Sequence, residues 1–196
     1  TQQRELSGRV ALVTGAARNI GRAIAVALAE GGAKVVVHAR VSIDAANETV
    51  ELCRARANGE GGDAMVVFAD LTDPDAVARM MEEIGARFGR LDTLVHNAAE
   101  RADGPFESIS FAEWRRIVAS ILDSAFLCDQ AALPFLRRSD SASIIHIGGV
   151  AAHTGVRHRP HVSAAKAGIA GLTRALAAEL AADGITVNCV SPARME

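Results

Sequence analysis

The sequence predicts an α/β fold: a doubly wound, all-parallel sheet of strand order 3-2-1-4-5-6 with helices on both faces. Three observations predict it. Six strand-length apolar runs alternate along the chain with segments of helical period. The runs are almost continuously apolar, the pattern of strands covered on both faces. The first run leads directly into a glycine-bearing turn and a helix, the opening of a β-α-β unit whose crossovers are right-handed.

The first strand is read at Arg9–Thr14. It enters the turn Thr14-Gly15-Ala16-Ala17-Arg18-Asn19-Ile20-Gly21, and Ile20, Ala23, Ile24, Ala27, Leu28 and Gly31 then share one helical face. Glycine lets a phosphate approach the backbone, and the free N–H groups of a helix start face its negative charge. Further strands are read at Ala33–Ala39, Ala64–Ala69, Thr93–His96, Ser143–Ile147 and Thr186–Val190. Between them Val77, Met81, Ile84 and Phe88 make one helical stripe, and Trp114, Val118, Ile121, Leu122 and Ala125 another. The segment Val162–Ala182 carries Ala164, Ala165, Gly168 and Gly171, small residues that allow a neighbouring helix to approach closely.

The 196 residues fit one domain spanning 1–196, on a usual size of roughly 100–200 residues, and 49% hydrophobic content is enough for a large core. The net charge of -2, from 21 basic and 23 acidic residues, gives no basic surface for nucleic acid and no attraction to a membrane. No run approaches the roughly 18 consecutive apolar residues of a membrane span, and Thr1-Gln2-Gln3-Arg4-Glu5 has no signal-peptide core. Cys53, Cys128 and Cys189 are scattered and odd in number, which reads as free thiols in a cytoplasmic, reducing compartment. The chain contains no tyrosine.

The glycine turn resembles the Thr-Gly-x-x-x-Gly-x-Gly loop of the short-chain dehydrogenase/reductase family, with Asn19 at the middle glycine. The resemblance continues through Asp70-Leu71, His96-Asn97-Ala98-Ala99 in place of Asn-Asn-Ala-Gly, Lys166, and Val187-Asn188-Cys189-Val190-Ser191-Pro192. It is nearest to members of the 3-oxoacyl-acyl-carrier-protein reductase type. It implies a Rossmann-type fold, a nicotinamide dinucleotide, a small carbonyl or alcohol substrate, and a homo-dimer or tetramer built on the helices around Phe111–Leu136 and Val162–Ala182. It also implies a substrate lid and a last strand beyond Pro192, which this sequence does not contain.

For the cofactor the resemblance points to Gly15, Arg18, Asn19, Ile20, Gly21, Arg40, Asp70, Leu71, Asn97, Ala98, Lys166 and Pro192. An acidic residue at the end of the second strand would hold the ribose 2′-OH of NAD and repel a 2′-phosphate. Here Ala39 stands there, followed by Arg40, with Arg18 in the glycine loop, so NADP(H) is expected in preference to NAD(H). The alternative is that both are ordinary surface arginines. Asn19 tolerates left-handed backbone. Asp70 reads as an adenine contact or as part of the next helix cap, and His96 as a strand-end packing residue.

The family's proton donor is a tyrosine four residues before the lysine, so that both share a helical face. Val162 holds that place before Lys166. The serine that positions substrate oxygen falls on Gly149, and the asparagine that supports a relay water on Ile121. Lys166 alone of the four remains. Replacement catalytic candidates are His161 and His153, since imidazole titrates near neutrality. On an ideal helix His161 points about 140° away from Lys166, unless the helix starts irregularly after Pro160. Ser163, a weak acid, lies on a nearer face. The cluster of His153, His158 and His161 with Arg157 and Arg159 is either a solvated basic loop or a site for an acidic group. Its histidines lack ligand spacing and an adjacent carboxylate, so no metal site is expected.

Three functional readings follow. One is an NAD(P)(H)-dependent oxidoreductase with an atypical proton donor. The other is a catalytically silent nucleotide-binding subunit that stabilises or regulates an active relative in a hetero-oligomer. A lyase or isomerase on the same scaffold is a third.

Overall fold

The computed structural model describes residues 5–57 and 63–193. The ends of the expected domain, residues 1–4 and 194–196, and the segment 58–62 lie outside the described residues. Six strands form one parallel sheet in the order β3-β2-β1-β4-β5-β6. They are β1 Val10–Val13, β2 Lys34–Ala39, β3 Ala64–Phe68, β4 Thr93–His96, β5 Ser143–Ile147 and β6 Thr186–Val190. Three match the sequence reading and three are one or two residues shorter, because the ladder ends before the flanking residue; Thr14 N–H still donates to Val95 O at 3.0 Å.

Alternation along β1 sends side chains to two cores. Val10 and Leu12 pack with Met80, Met81 and Ile84 of helix α3 (Pro74–Phe88) and with Cys128 and Ala132. Ala11 and Val13 pack with Ala25 and Ala29 of α1 (Asn19–Glu30) and with Ala46 and Val50 of α2 (Ile43–Arg56). Burial on both faces is what removes polar residues from these strands. Local signals mark the helix ends. Asp73 caps α3, its carboxylate accepting from Asp75 N–H at 2.9 Å, Pro74 opens it, and Gly89 closes it in left-handed geometry.

Helix α4 (Phe111–Val118) and helix α5 (Ser124–Leu136) form one rod, interrupted by a π-helical turn at Ala119–Asp123. The rod is apolar enough, by length and composition, to cross a membrane. Here Ile117, Ile121, Ala125, Cys128, Ala132 and Leu136 are buried within the fold. The short turn α6 (Ala151–Thr154) precedes the long helix α7 (Pro160–Leu180). A third core of Ile117, Ile121, Ala125, Ala165 and Ile169 joins α7 to the rod. The expected close approach is made at Gly168, where a Cβ would stand 2.8 Å from Leu122 Cδ2. Gly171 faces open space and Ala164 is exposed, so those two small residues do not serve that contact.

Candidate active site

A cleft runs along the carboxyl ends of the strands, where open α/β sheets bind ligands. Its first half is built on the turn after β1. Gly15 has φ 62° and Asn19 φ 52°, so the asparagine takes the left-handed conformation expected of it. A Cβ at Gly21 would lie 2.3 Å from Gly15 O and 2.6 Å from Asn97 Nδ2, so only glycine fits there. Arg18, at the N-cap of α1, makes no side-chain cap, and the first turn holds no acidic residue. The opening N–H groups of α1 therefore remain free for an anion, and the loop fits a dinucleotide pyrophosphate.

Thr14 and Asn97 lock this loop to β4. Thr14 Oγ1 accepts from Asn97 N–H at 2.9 Å and Ala98 N–H at 3.0 Å, and Asn97 Nδ2 donates to the carbonyls of Thr14 and Gly15. Gly15, Arg18, Asn19, Ile20, Gly21, Arg40, Asp70, Leu71, Asn97, Ala98, Lys166 and Pro192 all line the cleft. Asp70 Oδ1 accepts from Thr72 N–H and Oγ1, which holds its carboxyl below the usual range, while Asp73 caps α3. His96 is buried, with Ser124 Oγ 3.2 Å from its Nε2, and does not line the cleft.

The second half of the cleft is formed by the loop after β4, the π turn, the loop after β5 and the start of α7. Lys166 Nζ donates to Ile147 O at 2.5 Å, which anchors it on the cleft floor. Burial lowers its pKa from 10.5 to about 8, the Cys189 thiol opposing and the nearby Arg101 charge assisting. Val162, Gly149 and Ile121 line the cleft around it and carry no proton.

Neither catalytic histidine candidate reaches this cleft. Helix α7 starts at Pro160 rather than Val162, so His161 lies inside regular helix and points away from Lys166. It is fully buried, its ring nitrogens have no hydrogen-bond partner among the described residues, and Nε2 lies 3.6 Å from Glu113 Oε1. His153 is exposed on α6, while the cleft wall there is Gly149, Val150 and Ala151. His158 does line the cleft, with φ 63°. Arg157 and Arg159 line it too. The hydroxyl of Ser163 is buried without a partner among the described residues.

Sequence reasoning missed His38. Its Nδ1 accepts from Gly15 N–H at 3.1 Å and its Nε2 donates to Ala69 O at 3.0 Å. A lone histidine inside an otherwise apolar strand was the available signal. The hydroxyls of Ser120 and Ser124, also on the cleft, are engaged by the carbonyls of Ile117 and Ser120.

The family model described as short chain dehydrogenase matches residues 9–196. The 3-oxoacyl-acyl-carrier-protein reductase FabG of Staphylococcus aureus is 40% identical over 182 residues, covering 93% of this chain and 72% of the relative. The cis-4-hydroxycyclohexanecarboxylate dehydrogenase of Sinomonas cyclohexanicum is 40% identical over 185 residues, covering 94% and 72%. A solved dehydrogenase/reductase from Sinorhizobium meliloti 1021 superposes with a TM-score of 0.92 at 33% identity, covering 99% of this chain and 75% of that one.

Proposed function

This chain belongs to the short-chain dehydrogenase family, and we propose that it is an NADP(H)-dependent oxidoreductase for a carbonyl or alcohol substrate, with Lys166 as its proton-handling group. The observation that carries this reading is the anchored Lys166 side chain on the floor of a cleft whose other half is a dinucleotide cradle. The preference for NADP(H) over NAD(H) is supported by Arg18 and Arg40, whose side chains line the cleft without a hydrogen bond or ion pair among the described residues, and by Ala39 in place of a carboxylate.

When bound, the nicotinamide supplies or takes up a hydride. The chain's own part is to bind, orient and move a proton. The glycine turn and the start of α1 would hold the pyrophosphate, Asn97 and Ala98 would border the ribose, and Ile147 O fixes Lys166 Nζ. In reduction Nζ gives its proton to the developing alkoxide oxygen and regains one from water in the cleft. A group with pKa about 8 is largely protonated at neutral pH and transfers readily.

A second reading, a silent nucleotide-binding subunit that stabilises an active relative, is favoured by the loss of polar groups at Gly149, Val162 and Ile121. In either case the chain self-associates, or pairs with that relative, through the α4–α5 rod and α7. Phe111 and Phe126, 77% and 49% exposed on the rod, support this. The three free cysteines support a reducing, cytoplasmic setting. Calorimetry with NADPH and NADH, followed by NADPH oxidation over a ketone panel with wild type and Lys166→Met, tests the assignment. Turnover lost in Lys166→Met supports the oxidoreductase; tight NADPH binding with no turnover on any ketone supports the silent subunit.

A further inference from the structure

We propose that the substrate half of the cleft binds an anionic oxygen group, a carboxylate or a phosphate, between the guanidinium groups of Arg101 and Arg157. This deepens the oxidoreductase reading and rests on it for assigning the anion to the substrate.

Both arginines line the cleft, on the two loops that follow β4 and β5. The loops are tied together. Gly104 N–H donates to His158 O at 2.9 Å, and the Arg159 guanidinium clasps the Asp103 carboxylate through two hydrogen bonds. His158, between Arg157 and Arg159, holds φ 63°, a left-handed backbone uncommon for histidine. Strained backbone of this kind clusters where a ligand is clamped.

Charge accounting around the wall leaves those two arginines over. Arg159 is neutralised by Asp103, and Glu100 is taken by Arg116 from α4. Among the described residues Arg101 and Arg157 make no hydrogen bond and no ion pair, and Lys166 adds a further positive charge on the floor. The Arg101 charge is felt at Lys166, which places it within electrostatic reach of the reacting position. Pro105, Val156, Ile121 and Val162 supply apolar surface nearby. Both arginines are exposed at the cleft mouth, where two like charges without a protein partner attract an oxyanion and are screened by salt. The planar fork of arginine suits both oxyanions. Of the basic cluster visible in the sequence, only part serves this site. His161 is buried away from it and Arg159 is spent on Asp103, while Arg101 comes from another loop.

The test uses protein saturated with NADPH, so that the dinucleotide cradle is filled. Calorimetry then measures acetoacetate, acetone as its uncharged counterpart, and inorganic phosphate. The variants are Arg101→Met, Arg157→Met and the double change, with the exposed Arg115→Met as control. We expect acetoacetate to bind wild type and Arg115→Met alike, and about tenfold or more weaker to the double variant; acetone should show no dependence on either arginine. Binding of phosphate without acetoacetate would keep the anion site and assign it to a phosphorylated ligand. Equal acetoacetate and phosphate binding by wild type and the double variant, or no binding of either anion to the NADPH-loaded wild type, would overturn the proposal. Turnover is read separately. Reduction of a neutral ketone, together with anion binding that does not depend on the two arginines, leaves the oxidoreductase reading intact and sinks this one. Arginine-dependent anion binding without turnover does the reverse.

Discussion

The Nδ1 of His38 accepts the backbone N–H of Gly15 at 3.1 Å, while the opposite edge of the ring donates to Ala69 O at 3.0 Å. One neutral imidazole thus connects the nucleotide-binding turn to the end of the third strand. Only the tautomer with its proton on Nε2 makes both bonds. A protonated ring would set an N–H against the N–H of Gly15.

A pH dependence of stability follows. Burial is the main cause that holds the His38 pKa below its ordinary value, and the same holds more strongly for His96. Their unfolded forms titrate at about 6.5. Below that pH the unfolded chain binds protons that the folded chain refuses, so stability is lost as pH falls from about 6.5 toward the lowered native values. Urea unfolding at pH 5.5 and 7.5 reads this slope, against which the raised Asp129 carboxyl works in the opposite sense. His38→Ala should be destabilised by about 1–3 kcal/mol at pH 7.5, weaken NADPH binding, and lose less stability than wild type between pH 7.5 and pH 5.5. An unchanged slope in the variant would remove His38 from this account.

Arg40→Asp should reverse the cofactor preference. A charged hydrogen bond to the 2′-phosphate is worth about 1.5–3 kcal/mol, and the new carboxylate would repel the phosphate and accept from a ribose hydroxyl. The NADPH-to-NADH affinity ratio should change by about tenfold or more. Equal affinities for both cofactors in wild type and variant alike would refute the assignment of Arg18 and Arg40.

Gly149→Ser with Val162→Tyr should raise NADPH oxidation on a simple ketone. Among the described residues a Cβ at Gly149 meets no atom within 4 Å, and Val162 lies on the cleft four residues before Lys166. A positioned general acid contributes about 10²–10⁴-fold. In wild type, with Lys166 as the acid, the rate should fall as pH rises through about 8. In the double variant the tyrosine should move that dependence. A wild-type rate that stays flat up to pH 10 would exclude Lys166 as the donor.

Asp129→Ala should destabilise the fold more than Asp129→Asn. The Thr173 hydroxyl donates to Ile169 O, so its oxygen receives His146 Nδ1–H, and His146 Nε2 meets Asp129 Oδ2 at 2.9 Å. Burial raises the Asp129 pKa despite that histidine, which fits a carboxylic acid donating to neutral imidazole. Asparagine can still donate there; alanine leaves a buried nitrogen unpaired at about 1–3 kcal/mol. Equal denaturation midpoints for the two variants would contradict this proton assignment.

Phe111→Glu with Phe126→Glu should lower the sedimentation coefficient of the wild-type oligomer. Two charges on that face oppose its burial against another chain. A wild type already monomeric at micromolar concentration, with no relative co-purifying from its host, would remove the interface.

Much of the fold was legible because it rests on local regularities. Continuous apolar runs mark buried strands, and Asp73, Pro74 and Gly89 mark the limits of one helix by their own backbone chemistry. The glycine turn was legible down to the left-handed Asn19. The π turn at Ala119–Asp123 was not, since Ile121 and Leu122 satisfy a regular helical stripe equally well. The true start of α7 at Pro160 was also hidden, and it decides which way His161 points.

The sequence alone determined the parallel sheet, the nucleotide-binding turn and the absence of a tyrosine acid, because each depends on residue identity or near-neighbour spacing. Tertiary structure decided which of several similar side chains meet the cleft. His161 and His158 differ by three positions, yet one is sealed against Glu113 and the other lines the cavity. Arg159 and Arg157 differ by two, yet one is consumed by Asp103. Those choices depend on contacts between distant segments, such as Arg159 with Asp103, 56 residues apart. Loop closure brings such segments together only once the sheet has formed, so no local pattern records them.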